Sequence, residues 1–193
     1  NMRVLRMAAA AVAVLAAVSG AEAKDWSKVR IGTEGAYPPF NSLTADGQLV
    51  GFDIDIAKAL CEEMKVECEF VTQDWDGMIP ALQAGKFDAV IASMSITEER
   101  KEKVDFTNKY YNTPPAIAVP KDSALTGTSD EDLKGVALGA QSSTTHSNYA
   151  EEKLPSADLK LYPTPDEYKL DVASGRVDAV IDDVVVLSDW LAT

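Results

Sequence analysis

The polarity of the chain changes its period several times, and each change predicts an element. Residues 7–18 form an unbroken apolar run rich in Ala, behind Arg3 and Arg6 and ahead of Ala21-Glu22-Ala23. A basic start, a short apolar core and a small-residue exit mark a cleavable secretory leader, so residues 1–23 are expected to be a signal peptide cut before Lys24. Further on, Ile54, Ala57, Leu60 and Met64 recur at helical spacing behind Asp53 and Asp55. That predicts an amphipathic helix with two acids in its first turn. Met78-Ile79 with Leu82, and Tyr168 with Leu170 and Val172, mark two more amphipathic segments. Pro80 fits a first helical turn, so the earlier of the two should begin near Gly77. Short apolar runs at Val29–Gly32, Phe70–Thr72, Ala89–Ile91, Val136–Gly139 and Ala179–Ile181 read as buried strands, and Val184–Leu191 as a helix. Pro114-Pro115 cannot enter a helix interior, so Tyr110–Pro115 reads as an extended crossover.

Two of these patterns occur twice. Ala-Gly-Lys-Phe-Asp-Ala-Val-Ile at 84–91 is echoed by Ser-Gly-Arg-Val-Asp-Ala-Val-Ile at 174–181. Each follows an amphipathic segment. The Gly is expected at the helix C′ position, the Asp in the turn, and Ala-Val-Ile as a buried strand. Upstream, Val29-Arg30-Ile31-Gly32 parallels Val136-Ala137-Leu138-Gly139, each read as a strand that breaks at Gly. Two echoes in matching order predict two related α/β units with parallel sheets.

Composition narrows the chemistry. Eighteen Lys and Arg stand against 31 Asp and Glu, a net charge of -13. Such a chain repels phosphate backbones and anionic membrane surfaces, which argues against nucleic acid as a partner. One histidine, His146, and two cysteines exclude multi-His metal centres and zinc sites of three or four thiolates. No P-loop, G-x-G-x-x-G or G-x-S-x-G occurs, so no cofactor is expected. Cys61 falls in the last turn of a predicted helix and Cys68 opens a predicted strand. They are either a disulfide or two buried thiols, and export favours the disulfide. Its loop is short, so it would stabilise by roughly 2 kcal/mol.

In open parallel sheets ligands bind beyond the carboxyl ends of the strands. Behind the predicted strands come Glu34 and Tyr37, then Asp74 and Trp75, then Ser93, Ser95 and Arg100, then Ser143, Thr144 and Thr145, and finally Asp182 and Asp183. One guanidinium, several hydroxyls, several carboxylates and two large aromatics suit an amino acid as ligand.

Residues 51–64, GFDIDIAKALCEEM, resemble the signature of the bacterial extracellular solute-binding proteins for polar amino acids, the periplasmic receptors of ABC importers. WDGMIPALQAGKFDAVIASMSITEERKEKVDFTNKYY at 75–111 is similar to the same family almost continuously, and GAQSSTT and GRVDAVIDD match its second lobe. The lysine/arginine/ornithine and histidine receptors, with their cysteine pair, look closest. The resemblance implies a two-lobed type II periplasmic-binding-protein fold, with lobe 1 at 24–112 and lobe 2 at 113–193. The family continues through further elements that are absent from these 193 residues, so the second lobe is expected to be incomplete. The resemblance also implies a periplasmic, monomeric, non-enzymatic receptor that delivers a polar, cationic amino acid to an inner-membrane ABC permease. Arg100 matches the carboxylate clamp with Ser93 and Ser95, and Thr144 matches a ligand contact. Asp183 matches the ammonium-binding aspartate, its alternative being a helix N-cap. Glu34 matches an acid facing the ligand's distal group, and Tyr37 with Trp75 an aromatic sandwich. Thr145 stands where basic-amino-acid receptors often carry Gln, and Ala92 replaces a serine. Asp182 reads as a cap or surface residue and His146 as a solvent-facing helix residue. Rival classes are a periplasmic enzyme on the same fold, such as a cyclohexadienyl dehydratase, and the sensor domain of a membrane receptor.

Overall fold

A computed structural model describes residues 26–193, so the expected leader at 1–23 lies outside the described residues. Strand β1 (Lys28–Thr33) is followed by a small antiparallel meander, β2 (Ala36–Tyr37), β3 (Asn41–Leu43) and β4 (Leu49–Val50). Helix α1 (Phe52–Met64) then leads into β5 (Glu67–Thr72). A 3-10 turn (Trp75–Gly77) runs into α2 (Met78–Gln83), followed by β6 (Ala89–Val90) and the single turn α3 (Glu98–Lys101). After an irregular crossover come β7 (Pro115–Ala118), β8 (Ala137–Gln141), α4 (Thr145–Lys153) and β9 (Asp158–Tyr162). The described chain closes with α5 (Pro165–Ala173), β10 (Ala179–Asp183) and α6 (Val184–Leu191). The first sheet has the order β5-β1-β6, all parallel. The second has the order β7-β10-β8-β9, parallel except for β7.

Helix α1 buries Ile54, Ala57 and Cys61 against the first sheet, whereas Leu60 and Met64, the other two positions of the expected stripe, are exposed: the buried face turns through Cys61 instead. Lys65, left-handed at φ 57°, ends it by donating to Cys61 and Glu62 carbonyls. The reversal brings Cys61 and Cys68 together as a disulfide with Cα atoms 5.8 Å apart.

The echoed octapeptides are structural equivalents. Gly85 (φ 71°) follows α2 and Gly175 (φ 72°) follows α5. Around each, the amides of C′ and C″ return to the last helical turn: Gly85 to Leu82 and Lys86 to Ala81, Gly175 to Val172 and Arg176 to Asp171. The repeated Asp then locks onto the neighbouring strand. Asp88 donates its N–H to the Arg30 carbonyl and accepts the Arg30 N–H at 3.0 Å; Asp178 does the same with Ala137, at 2.9 Å. One side chain thus registers β6 on β1 and β10 on β8.

The upstream glycines do not break their strands, as the pattern suggested. Strand β1 runs through Gly32 and β8 through Gly139. What these positions require is close approach. A Cβ on Gly32 would lie 2.6 Å from the Phe87 ring, and one on Gly139 3.2 Å from Val180.

Phe87 is fully buried with Met78, Ala81 and Ala92, and it seals α2 onto the first sheet. Truncation to Ala leaves a ring-sized void over Gly32 that the backbone cannot collapse to fill. Phe87→Ala is expected to lower stability by about 3–5 kcal/mol. Urea unfolding followed by circular dichroism measures this; a loss below about 1 kcal/mol would show that the ring is not what holds α2 in place.

Candidate functional site

The loops that leave the carboxyl ends of both sheets meet in one cleft. At its tight end Glu34, Tyr37, Trp75, Ala92, Ser93, Ser95, Arg100, Gln141, Thr144, Thr145, His146 and Asp182 line one small pocket. A wider groove adjoins it, sharing Tyr37, Ser93, Ser95 and His146 and adding Tyr110, Tyr111 and Asp183.

The first-sheet wall is built by turns. Asp74 and the 3-10 turn carry Trp75 out of β5. Residues 93–95 leave β6 with Met94 turned toward the Met78–Phe87 core, so Ser93 and Ser95 flank the pocket. Thr97 caps α3 by accepting the Arg100 N–H at 3.2 Å, and Arg100 folds back so that Nη1 donates to the Ser95 carbonyl at 2.8 Å. Its guanidinium lies 5.4 Å from the Trp75 ring centroid. Nη2 crosses to the Ser143 carbonyl at 3.0 Å, which also accepts the Trp75 Nε1–H at 3.1 Å. Both guanidinium bonds go to carbonyls, so the positive charge is not neutralised by them. Burial pulls Arg100 down from its ordinary value, partly offset by Glu99.

The second-sheet wall is the start of α4 and the end of β10. Thr144 is the N-cap of α4 in a capping box with Ser147: Thr144 Oγ1 accepts the Ser147 N–H, and Ser147 Oγ accepts the Thr144 N–H, both at 3.1 Å. Thr144, Thr145 and His146 at the start of that helix line the same pocket as Arg100, and a helix N-terminus beside a guanidinium favours a carboxylate. Gln141 extends from β8 and donates to Glu34 Oε1 at 2.6 Å.

Two acids set the opposite character. Burial pushes the Glu34 carboxyl up to about 7, opposed by the Gln141 hydrogen bond and assisted by Asp182, Asp74 and Asp166. Asp182 is buried, not the cap or surface residue its sequence position suggests. It accepts the Tyr37 hydroxyl at 2.5 Å, the Tyr168 hydroxyl and the Asp183 N–H, and lies 3.3 Å from His146 Nδ1. His146 therefore faces the cleft rather than solvent, because the first turn of α4 is aimed inward. Asp183 caps α6, accepting the Val185 N–H at 2.7 Å, while its other oxygen accepts the Thr113 hydroxyl and the side chain lines the wider groove.

Of the residues singled out in the sequence, Glu34, Tyr37, Trp75, Ser93, Ser95, Arg100 and Thr144 converge on the tight pocket, and Asp183 stands beside it. Gln141, His146 and Asp182 belong with them and were not selected. For Gln141 and Asp182 a signal existed, since both end a strand. For His146 only helix orientation decides. Among the described residues no group of three or more His, Cys, Asp or Glu side chains could hold a metal ion, and no helix is long and apolar enough to cross a membrane.

Known proteins share this architecture. The family of bacterial extracellular solute-binding proteins, family 3, matches residues 29–154. An L-arginine-binding protein of Pseudomonas aeruginosa is 52% identical over 83% of this chain, which spans 62% of that relative's length. A crystal structure of an ancestral amino acid-binding protein, a precursor of cyclohexadienyl dehydratase, superposes with a TM-score of 0.82 at 43% identity, covering 86% of this chain and 74% of its own. An ancestral arginine-binding protein bound to arginine gives a TM-score of 0.82 at 41% identity and the same coverage. The architecture is the two-lobed type II periplasmic-binding-protein fold with the cleft between parallel-sheet lobes. With the family matched over most of the described residues, the chain belongs to family 3 of the bacterial extracellular solute-binding proteins.

Proposed function

We propose that the protein is a periplasmic receptor that binds an amino acid with a cationic side chain and hands it to an inner-membrane ABC permease. Lobes at 24–112 and 113–193 of a monomer close on the ligand. One observation carries the reading: the same pocket holds a guanidinium bonded to carbonyls, beside a helix N-terminus, and two carboxylates next to aromatic faces. The first pair suits an α-carboxylate, and the second a positive side chain. The arginine-binding relatives support the same ligand class. Asp183, at the edge of the pocket, is the partner proposed for the α-ammonium.

Arg100→Ala is expected to abolish binding of all amino acids alike, since they share the α-carboxylate, at a cost of several kcal/mol. Isothermal calorimetry with arginine, lysine and glutamine checks it; affinity within tenfold of the parent, about 1.4 kcal/mol, would remove Arg100 from the clamp.

Glu34 makes the selectivity pH-dependent. Its carboxyl holds a proton up to about pH 7 instead of 4.5, and a cationic side chain needs it ionised. Arginine affinity should therefore rise with pH through about 7, by at most roughly tenfold per unit. For the fold alone the sign is opposite: a raised carboxyl contributes stability that is fully present below about 4.5 and is lost as pH rises through about 7. Glu34→Gln should flatten the affinity profile and weaken arginine and lysine more than glutamine. Equal weakening of all three, with the profile unchanged, would make Glu34 structural.

A second reading has its own observation. A carboxyl raised to about 7 in a cleft is also a candidate general acid, and one structural neighbour is a precursor of a dehydratase. Turnover of prephenate, abolished by Glu34→Gln, would favour an enzyme; amino-acid binding without turnover favours the receptor.

A further inference from the structure

Asp53 stands in the first turn of α1, where the sequence reads it as one of two acids beside a helix N-terminus. It does not cap the helix: Gly51 is the N-cap, and no side chain completes it. Instead the carboxylate is fully buried and turned toward the cleft wall. Oδ2 accepts from Asn41 Nδ2 and from the Ser93 hydroxyl, both at 2.8 Å, and Oδ1 accepts the Tyr110 hydroxyl at 2.6 Å. Each donor belongs to a different part of the first lobe. Asn41 passes the connection on, its Oδ1 accepting the Gly35 N–H at 2.8 Å in the turn between Glu34 and Tyr37. Tyr110 lies on the crossover, and its hydroxyl accepts the Ser93 N–H at 3.3 Å.

Ser93 needs such support. Its φ is 55°, left-handed, a conformation a residue with a Cβ keeps only when its surroundings over-determine it. Asp53 accepts the hydrogen bond of its hydroxyl and Tyr110 that of its amide. Burial and the neighbouring Asp53 hold the Tyr110 phenol well above its ordinary value, so it remains a donor. Asp53 itself lines neither the pocket nor the adjoining groove.

We infer that Asp53 is a positioning residue for ligand binding: one buried carboxylate sets the Ser93 turn, the Glu34–Tyr37 turn through Asn41, and the crossover through Tyr110. The inference builds on the receptor reading for its ligand, and its structural half is testable without one. The experiment uses the full chain with L-arginine as probe and compares Asp53→Asn, Ser93→Ala, Tyr110→Phe and the Asp53→Asn/Ser93→Ala double variant. Asp53→Asn turns one acceptor into a donor facing donors, so arginine affinity should fall about tenfold or more with a cooperative melt retained. The double variant should lose less than the sum of the two singles, because both remove the Asp53–Ser93 bond. By amide hydrogen exchange without arginine, Asp53→Asn should speed exchange in residues 33–42, 91–95 and 108–112 and leave 136–141 unchanged. Affinity losses that add, or binding within twofold of the parent with unchanged exchange at 91–95, would overturn the assignment. If Asp53→Asn does not fold, Tyr110→Phe decides: it keeps the ring and removes one donor, and unchanged exchange at 91–95 and 108–112 refutes the network. If the parent binds no arginine, the receptor reading fails, and the exchange comparison still decides the role of Asp53.

Discussion

Parallel strands cannot be joined by tight turns; each must hand the chain to a crossover before its neighbour begins. That constraint places everything else in this protein. All strands of one parallel sheet release the chain at the same end, so the residues behind β1, β5 and β6 form one wall. The residues behind β8 and β10 form the other. Among the described residues the cross-cleft bonds follow this arrangement: Gln141 to Glu34, Trp75 and Arg100 to Ser143, Ser142 to Asp76, and Tyr37 to Asp182. None involves a residue from the amino end of a strand. The paired aspartates Asp88 and Asp178 serve this geometry from below, clamping β6 to β1 and β10 to β8 so that both walls sit at fixed heights.

The cleft concentrates opposite chemistries within one small volume. A strongly acidic surface draws cations toward the molecule, while inside the cleft desolvation raises the stakes of each group. Burial lifts Glu34 and lowers Arg100, and in both cases the neutral form gains because water is removed. Asp182 sits in the same cleft and is surrounded by donors from Tyr37, Tyr168 and the Asp183 amide. Asp182 is buried and Glu34 half-buried, and their hydrogen-bond partners differ as well. Glu34, with a single amide donor from Gln141, is left as the acid free to respond to a ligand.

Backbone conformation repeats the symmetry of the lobes. Ser93 and Ser143 are both left-handed, at 55° and 57°, and both line the seam. Holding a serine there costs on the order of 1–3 kcal/mol, recovered from the bonds that fix it. On one side the bonds come from Asp53 and Tyr110; on the other, the Ser143 carbonyl is turned to meet Arg100 and Trp75.

Much of this was legible in the residues themselves. Helical spacing located α1, and the Gly-x-x-Asp-Ala-Val-Ile echoes marked matched helix ends and strands. The rule that ligands gather behind parallel strands offered a wider set, from which the family resemblance picked out Glu34, Tyr37, Trp75, Ser93, Ser95, Arg100, Thr144 and Asp183. These signals are local: period, cap and turn chemistry depend on a few neighbouring residues. The strand glycines were misread because a break and a close packing contact leave the same trace in one dimension, and only Phe87 lying on Gly32 tells them apart. Asp53, Asp182 and His146 needed three dimensions as well. A first-turn acid, a residue before a helix and a helical His each satisfy a local rule on the surface. Whether such a side chain is buried, and against which donors, is set by partners 36, 40, 57 and 145 positions away in sequence, for His146–Asp182, Asp53–Ser93, Asp53–Tyr110 and Tyr37–Asp182. The sequence by itself determined the elements and the ends from which the site is built; tertiary structure alone decided which acids lose their water, because desolvation depends on everything packed around a group and not on what stands next to it in the chain.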